Sequence, residues 1–213
     1  FLTKKGIKEI DGKIKVLEKV NTDDQTPRTW VWEDIGNYYG AGFGSTILNE
    51  NKLELHFKSG KKGTLTTLEK TVPELSWLVL DNYVQDSRTR KDLAYVFGSP
   101  GSNKISITGT IPQNNRDFVV KAALPQASLT LAFQLHKGLL AMGLKVEEGY
   151  EVISSVTAGA ELVKEFTSIT TKSIVRETNL YSVNILAEAL LINAHLKSAS
   201  LLSKEEWMVE ELT

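Results

Sequence analysis

The chain has 213 residues, of which 41% are hydrophobic and 24% are charged, proportions that are typical of a folded globular protein and exclude a disordered tail. Its 25 basic and 26 acidic residues nearly cancel, so no broad charged surface indicates nucleic acid or an anionic membrane as a partner. The absence of cysteine excludes disulfides and a cysteine nucleophile, and no apolar run reaches the roughly 18 residues of a transmembrane segment.

Before residue 125 the chain predicts strands separated by polar turns. Loose alternation over residues 5–20 predicts one or two strands, and two more are predicted around a turn at Asn49–Asn51. Further strands are predicted near residues 65–68, 77–80, 93–97, 105–111 and 118–122. Strands at this spacing, with no helix between them, favour an antiparallel β-rich unit.

Residues 30–44 carry Trp30, Trp32, Tyr38 and Tyr39 among glycines and show no steady period. They predict an ordered loop with short helical or extended pieces, at least half buried, because so much aromatic area is costly to leave in water. Two interpretations of the aromatic cluster stay open. It is either a small satellite core or a platform on which sugars stack.

After Pro125 the apolar spacing changes to that of helices. It predicts a helix over residues 127–142 ended by Gly143, a weaker one over residues 158–168, and the strongest over residues 180–196. The last is apolar on most sides, so we expect it to be buried inside a larger body.

This change of period predicts an α+β chain with two parts. A β-rich part covers residues 1–125, and a mostly helical part covers residues 126–213.

The candidates for metal and cofactor sites are weak. The three histidines lie on different predicted elements, and none has a helical partner four residues away, so no metal site is predicted. The glycine-rich run over residues 40–44 lacks both the Gly-Lys-Ser/Thr of a phosphate loop and the spacing of a dinucleotide fingerprint. No cofactor is therefore expected.

Ser182 and Asn184 form a Ser-x-Asn triplet at the start of the apolar helix. Such side chains commonly cap helices. They also have a catalytic use, because serine acyl-transferases that bind penicillin line one cleft with Ser-x-x-Lys, Ser-x-Asn and Lys-Thr-Gly motifs. The triplet alone does not decide between the two roles.

The residues around this triplet resemble the middle-motif region of DacB-type D-alanyl-D-alanine carboxypeptidases/endopeptidases, a family of penicillin-binding proteins. The family pattern is Thr-Asn-x-x-Ser-x-Asn-x-x-Ala-Glu-x-Leu-Leu. All its fixed places are filled here, by Thr178, Asn179, Ser182, Asn184, Ala187, Glu188, Leu190 and Leu191. Upstream, residues 32–42 resemble the family's Trp-x-Asp-x-Gly-Asn-Tyr-Tyr-Gly-Ala segment, and residues 107–112 and 118–125 resemble its strand elements that end in Ile/Leu-Pro.

The resemblance implies a penicillin-binding, β-lactamase-like catalytic domain interrupted by a β-rich accessory insert. Residues 1–125 would be the insert, and residues 126–213 would be an incomplete return into the catalytic domain. The implied activity is that of a periplasmic serine-type carboxypeptidase or endopeptidase that acts on peptidoglycan peptides through an acyl-enzyme and binds β-lactams. Ser182 would help protonate the leaving amine, and Asn184 would position the acyl peptide.

The other two motifs are not where the family has them. We expect the Ser-x-x-Lys nucleophile motif before Phe1 and the Lys-Thr-Gly motif after Thr213. We therefore interpret the chain as an internal piece of such an enzyme that is inactive by itself. The formal match at residues 59–62 falls in a predicted hairpin turn, and we interpret it as a coincidence.

The alternative function is a non-catalytic cell-wall binding or scaffold domain. It would use residues 30–39 as its contact surface and Ser182 as a helix cap. In the catalytic interpretation, the apolar residues of 185–196 should be exposed or covered by a second copy of the chain, which makes a homo-oligomer one expected partner.

Overall fold

The computed structural model describes residues 2–20, 24–156, 158–198 and 207–208. The chain forms two compact units, Phe1–Ala160 and Glu161–Thr213. Strands and helices both contribute, which confirms the predicted α+β class. Among the described residues, no helix is both long and apolar enough to cross a membrane.

The first unit contains all of the described strands and two α-helices. The strands are β1 (Glu9–Ile10), β2 (Ile14–Leu17), β3 (Lys52–Lys58), β4 (Thr67–Val72), β5 (Val79–Asn82), β6 (Gln85–Ser87), β7 (Leu93–Phe97), β8 (Lys104–Pro112), β9 (Phe118–Ala123), β10 (Lys145–Val146) and β11 (Tyr150–Ile153). The helices are α1 (Trp32–Ile35) and α2 (Ala127–Ala141).

Two sheets enclose the core of this unit. In one, β3 pairs antiparallel with both β4 and β9. In the other, β8 pairs antiparallel with β7, and in parallel with β5 and β6 along successive parts of its length. The alternation of β3 buries Leu53, Leu55 and Phe57 completely, and they share one apolar cluster with Ile107 of β8. Alternating apolar residues therefore form the core where they were predicted.

Two strand predictions need correction. No strand lies directly before the turn at Asn49–Asn51, because residues 41–48 are irregular; only β3 follows it directly. The second sheet is also not purely antiparallel. In the chain, β7 lies between β6 and β8. The long connection that contains β7 lets β8 run in the same direction as β5 and β6 and pair with both in parallel.

A small α/β arrangement joins the two ends of the first unit. β1 pairs in parallel with β10, β2 pairs in parallel with β11, and α2 packs against β2, β10 and β11. The two sheets of the core lie between β2 and α2 in the chain. The first compact unit therefore continues past the change of period at Pro125 as far as Ala160. The assignment of residues 1–125 and 126–213 to an insert and a catalytic domain stays a prediction.

Glu18 ties the end of β2 to two other segments of this unit. Its Oε1 accepts hydrogen bonds from the backbone N–H groups of Val20 and Ser45, each at 2.9 Å. Its Oε2 accepts one from the Ser128 hydroxyl of α2 at 2.7 Å. Burial alone would raise the pKa of Glu18, but these hydrogen bonds together outweigh it, and the pKa lies below its ordinary value.

Glu18→Gln should therefore lower the unfolding free energy of the first unit at neutral pH by about 1–2 kcal/mol, because it weakens hydrogen bonds to a charged acceptor. A depressed folded-state pKa stabilises the fold above the unfolded pKa, and this contribution disappears as the pH falls through the folded pKa. Thermal unfolding followed by circular dichroism should show a smaller deficit at pH 3 than at pH 7. Glu69→Gln, on the exposed side of β4, is the matched control. An equal deficit at both pH values would contradict the assignment.

The aromatic segment at residues 30–44 contains α1 and a 3₁₀ turn, Tyr38–Gly40. It is partly buried, but its buried residues are glycines, Asn37, Ala41 and Phe43. The rings of Trp32, Tyr38 and Tyr39 remain 54%, 43% and 40% exposed. Trp30 is half-buried, so the prediction that the aromatic side chains drive the burial is wrong for Trp32, Tyr38 and Tyr39, and these three form no satellite core.

The second unit contains α3 (Thr171–Tyr181) and α4 (Asn184–Ser198), which pack against each other. The helix predicted over residues 158–168 is absent from its described part, and residues 160–170 have no regular structure. Leu162 and Phe166 are 81% and 84% exposed, so no buried apolar face stabilises a helix there. Instead, α3 begins after Thr170, whose hydroxyl accepts a hydrogen bond from the Ser173 N–H.

The single helix predicted over residues 180–196 is also corrected. Residues 180 and 181 belong to α3, and a break at Ser182 separates them from α4. α4 is half-buried along most of its length, with Ile185 fully buried, rather than enclosed on all sides. The side chain of Leu196 lies outside the described residues.

Candidate active site

The Ser-x-Asn triplet lies at the junction of α3 and α4. Ser182 ends α3 in the left-handed region, with φ 53° and ψ 50°, and its N–H donates to the Thr178 carbonyl. The Val183 N–H donates to the same carbonyl at 3.2 Å. A left-handed residue at this place is a common way to end a helix, but the position usually belongs to glycine. For serine the conformation costs about 1–2 kcal/mol.

The backbone of the junction starts α4 immediately after this turn. The Val183 carbonyl accepts hydrogen bonds from the N–H groups of Leu186 and Ala187, at 3.2 Å and 3.3 Å. Asn184 is the first residue of α4. Ser182 and Asn184 are both exposed, whereas Ile185 directly after them is 3% exposed. The triplet thus presents its hydroxyl and amide side chains outward while the next residue anchors the helix.

The capping interpretation of Ser182 makes a specific claim, which is that its hydroxyl bonds to a backbone N–H two or three residues on. No side-chain hydrogen bond of Ser182 is found within the part of the chain that the structure describes. Ser182 caps α3 through its backbone conformation, not through its hydroxyl. The hydroxyl is exposed, which a proton donor to a bound substrate requires.

Sequence reasoning found Ser182 and Asn184 but missed α3, which positions them. A signal for it was present in Thr170 and Ser173, since a Ser/Thr cap often bonds to the N–H three residues later. Thr178 lies in the last turn of α3, and its hydroxyl donates to the Ile174 carbonyl at 2.8 Å. No sequence signal pointed to the left-handed backbone at Ser182.

The profile of the D-Ala-D-Ala carboxypeptidase 3 (S13) family matches residues 1–206. The chain belongs to the S13 family. This confirms the family suggested by the triplet and its flanking residues. None of the curated proteins compared with the chain matches it.

Two solved structures share the fold of this S13 chain. The crystal structure of penicillin binding protein 4 (dacB) from Haemophilus influenzae matches with a TM-score of 0.69 and 17% identity over 89% of the chain. The structure of the H. influenzae protein complexed with a novel β-lactam matches with a TM-score of 0.54 and 14% identity over 89% of the chain. The chain spans 42% and 40% of the length of these two proteins. At these identities the likeness concerns the fold.

The formal Ser-x-x-Lys match of this S13 chain is a structural element of the first unit. Ser59 follows the end of β3 and is 7% exposed. Its hydroxyl donates to the Pro112 carbonyl at 2.6 Å and accepts from the Asn115 N–H at 2.8 Å. Lys62 lies exposed in the following turn. A hydroxyl bonded on both sides in a turn is not arranged as a nucleophile beside a lysine base.

The three histidines of the chain contact different neighbours. His56 Nδ1 lies 2.7 Å from Asp117 Oδ1, the ring of His136 packs beside Tyr150, and that of His195 beside Trp207. Across the described ranges no three histidine, aspartate or glutamate side chains gather in a way that would hold a metal ion.

Proposed function

We propose that this chain is the central part of a serine-type D-Ala-D-Ala carboxypeptidase/endopeptidase, with Ser182 and Asn184 as its middle active-site motif. The observation that carries the proposal is the geometry of the α3–α4 junction. Ser182 and Asn184 are exposed there, and Ile185, the next residue, is buried. Membership of the S13 family supports the reaction class.

The complete enzyme would consist of this chain joined to segments that carry the Ser-x-x-Lys and Lys-Thr-Gly motifs. The serine of the first motif attacks the carbonyl carbon of the penultimate D-Ala, and an ester forms as the bond to the terminal D-Ala nitrogen breaks. The attacking serine loses its proton to the lysine of its own motif, and Ser182 relays a proton from that lysine to the leaving nitrogen. The Asn184 amide donates a hydrogen bond to a carbonyl of the bound peptide and holds it in place. Water then hydrolyses the ester and regenerates the serine.

The substrates would be peptidoglycan peptides, and β-lactams would acylate the same serine. Both carboxypeptidase action and cleavage of peptide cross-links fit this chemistry. The substrate lies in the periplasm, so that is the proposed location.

Exposed apolar side chains in the second unit support its place in a larger body. Leu162, Phe166, Leu180 and Tyr181 are each at least 59% exposed. Large apolar side chains that are this exposed favour a surface that another part of a protein covers. We propose that other parts of the catalytic domain cover it, and a second copy of the chain is the alternative.

Labelling with a fluorescent penicillin, followed by a denaturing gel, tests the proposal. The complete enzyme should form a stoichiometric covalent band, and the 213-residue chain should form none, because its formal Ser-x-x-Lys match at residues 59–62 is not arranged as a nucleophile. Substituting the first-motif serine by alanine should remove the band. A band with the 213-residue chain that Ser59→Ala removes would overturn the assignment.

A second candidate function is a cell-wall binding module without catalysis. The observation that favours it is the exposure of Trp32, Tyr38 and Tyr39 in the first unit. The two functions separate in the labelling experiment, because a binding module would leave the complete protein unlabelled. Cell-wall binding by the first unit is itself compatible with catalysis, since a binding surface there can serve a catalytic site built on the second unit.

A further inference from the structure

A groove of about 410 Å³ lies on the first unit between the 3₁₀ turn Tyr38–Gly40 and the outward faces of β7 and β9. Its volume is within the range of roughly 300–1,000 Å³ for small-molecule sites. Its walls include Tyr38 and Tyr39 from the turn, Tyr95 from β7, and Val119 and Lys121 from β9. None of these residues takes part in the proposed catalytic site.

The turn that carries the two tyrosines is fixed by its neighbours. A Cβ added at Gly36 would overlap the Val96 carbonyl, so glycine is needed for the loop to pack against β7. Asn37 is 5% exposed; its amide donates to the Glu33 carbonyl at 2.6 Å and accepts from the Val96 N–H at 3.3 Å. Packing thus accounts for Gly36 and Asn37. It does not account for two neighbouring tyrosines whose rings stay exposed.

The three tyrosine rings give the groove an aromatic wall. Tyr38, Tyr39 and Tyr95 are 43%, 40% and 47% exposed. The rings of Tyr38 and Tyr39 lie edge to face, with centroids 5.3 Å apart and planes at 79°, so their faces point in different directions. Burial, followed by the charge of Asp34, raises the pKa of Tyr39, and the Tyr39 hydroxyl bonds to the Asp34 carboxylate. Tyrosine combines an apolar face with a polar tip, which suits a ligand that has both.

The charges around the groove balance. Its lining residues, all within the described part of the chain, include one acid, Asp92, and one base, Lys121. The Lys121 Nζ lies 5.8 Å from the centroid of the Tyr38 ring, a cation–π distance that holds it at the groove wall. A nucleic acid or a peptide with several carboxylates would meet too few cations here. An uncharged ligand with apolar faces and many hydroxyls matches the lining.

We propose that this groove binds a saccharide, and that its ligand is the N-acetylated glycan of the cell wall. The choice of that glycan rests on the proposed function, whereas the saccharide class rests on the groove itself. The C–H faces of sugar rings would stack on Tyr38 and Tyr95, and Lys121 and Asp92 would bond to hydroxyl and acetamido groups. The groove would hold the first unit on a glycan strand while peptides are cleaved elsewhere in the protein.

Titration of the 213-residue chain with tetra-N-acetylchitotetraose, followed by calorimetry or NMR, tests the proposal. We expect saturable binding that Tyr38→Ala and Tyr95→Ala each weaken at least tenfold. Lys121→Gln should weaken it severalfold, and its exposed position should leave the melting temperature unchanged. Tyr83→Ala is the matched control, because Tyr83 is 59% exposed and lies outside the groove.

Three results would overturn the proposal. They are absence of binding at millimolar tetrasaccharide, binding that all three groove variants leave unchanged, and saturation of the groove by a peptidoglycan stem pentapeptide in place of the sugar. The titration involves no acylation, so its failure leaves the penicillin-labelling result standing. If the complete enzyme bound the sugar but was not labelled by the fluorescent penicillin, only the catalytic proposal would be contradicted.

Discussion

Ser182→Gly in the complete enzyme should lower the rate of D-Ala release from a D-Ala-D-Ala peptide by about 10²–10⁴, the usual contribution of a positioned proton donor. The fold should survive, because Ser182 adopts φ 53° and glycine accepts this conformation without strain. The relief of about 1–2 kcal/mol at the left-handed position offsets the greater freedom of glycine in the unfolded chain. The melting temperature and the peptide kinetics of the same sample measure the two effects.

Two further variants make this result specific. Ser182→Ala should lose the same activity, and it keeps a side chain in the left-handed position. Ser173→Ala removes an exposed serine hydroxyl from the first turn of α3 and should leave the rate unchanged within about twofold, as expected for a surface substitution away from the chemistry. If Ser182→Gly kept full activity, Ser182 would act only through its backbone at the end of α3, and its catalytic assignment would be wrong.

Phe57→Ala should cost the first unit about 3–5 kcal/mol of unfolding free energy. Phe57 is fully buried on β3, between β4 and β9, so its removal leaves a cavity that neighbouring strands cannot fill. Chemical denaturation of the 213-residue chain, followed by fluorescence, measures the loss as a shift in the midpoint.

Phe166→Ala is the matched control, because Phe166 is 84% exposed in the second unit. In the 213-residue chain it should change stability by no more than about 0.5 kcal/mol. In the complete enzyme it should cost more, because we propose that other parts of the catalytic domain cover it. Equal, negligible effects in both proteins would contradict that coverage, and a small effect of Phe57→Ala would contradict the packed core.

The sequence predicted best those elements whose burial is periodic. The alternation of Leu53, Leu55 and Phe57 identified β3, and the apolar spacing after Pro125 identified α2 nearly to its ends. In both cases one face of the element is buried against the core, and that face sets the pattern of the sequence.

Features that depend on distant partners could not be predicted in this way. The parallel pairs β1–β10 and β2–β11 join residues more than 130 positions apart, and nothing in such short strands identifies their partner. The break in the last helix depends on one serine in a conformation that serine seldom adopts. The exposure of Tyr38 and Tyr39 depends on how Gly36 and Asn37 fix the turn, whereas composition alone left a satellite core and a sugar platform both open.

Residues of the candidate site were identified by type and spacing, and their geometry came from the structure. The Ser-x-Asn triplet and its flanking residues pointed to Ser182 and Asn184. Whether their side chains would point outward depended on α3, whose helical spacing was missed. The groove beside Tyr95 could not be foreseen either, because Tyr95 and Lys121 lie far from the aromatic segment in the chain.

The most direct test of the catalytic assignment is a crystal structure of the complete enzyme acylated by a β-lactam. We predict Ser182 Oγ and Asn184 Nδ2 within about 3.5 Å of polar atoms of the bound acyl group, as proton transfer and substrate positioning require. If both side chains lay more than about 8 Å from the acyl group, with other residues in those roles, the assignment of Ser182 and Asn184 would be wrong.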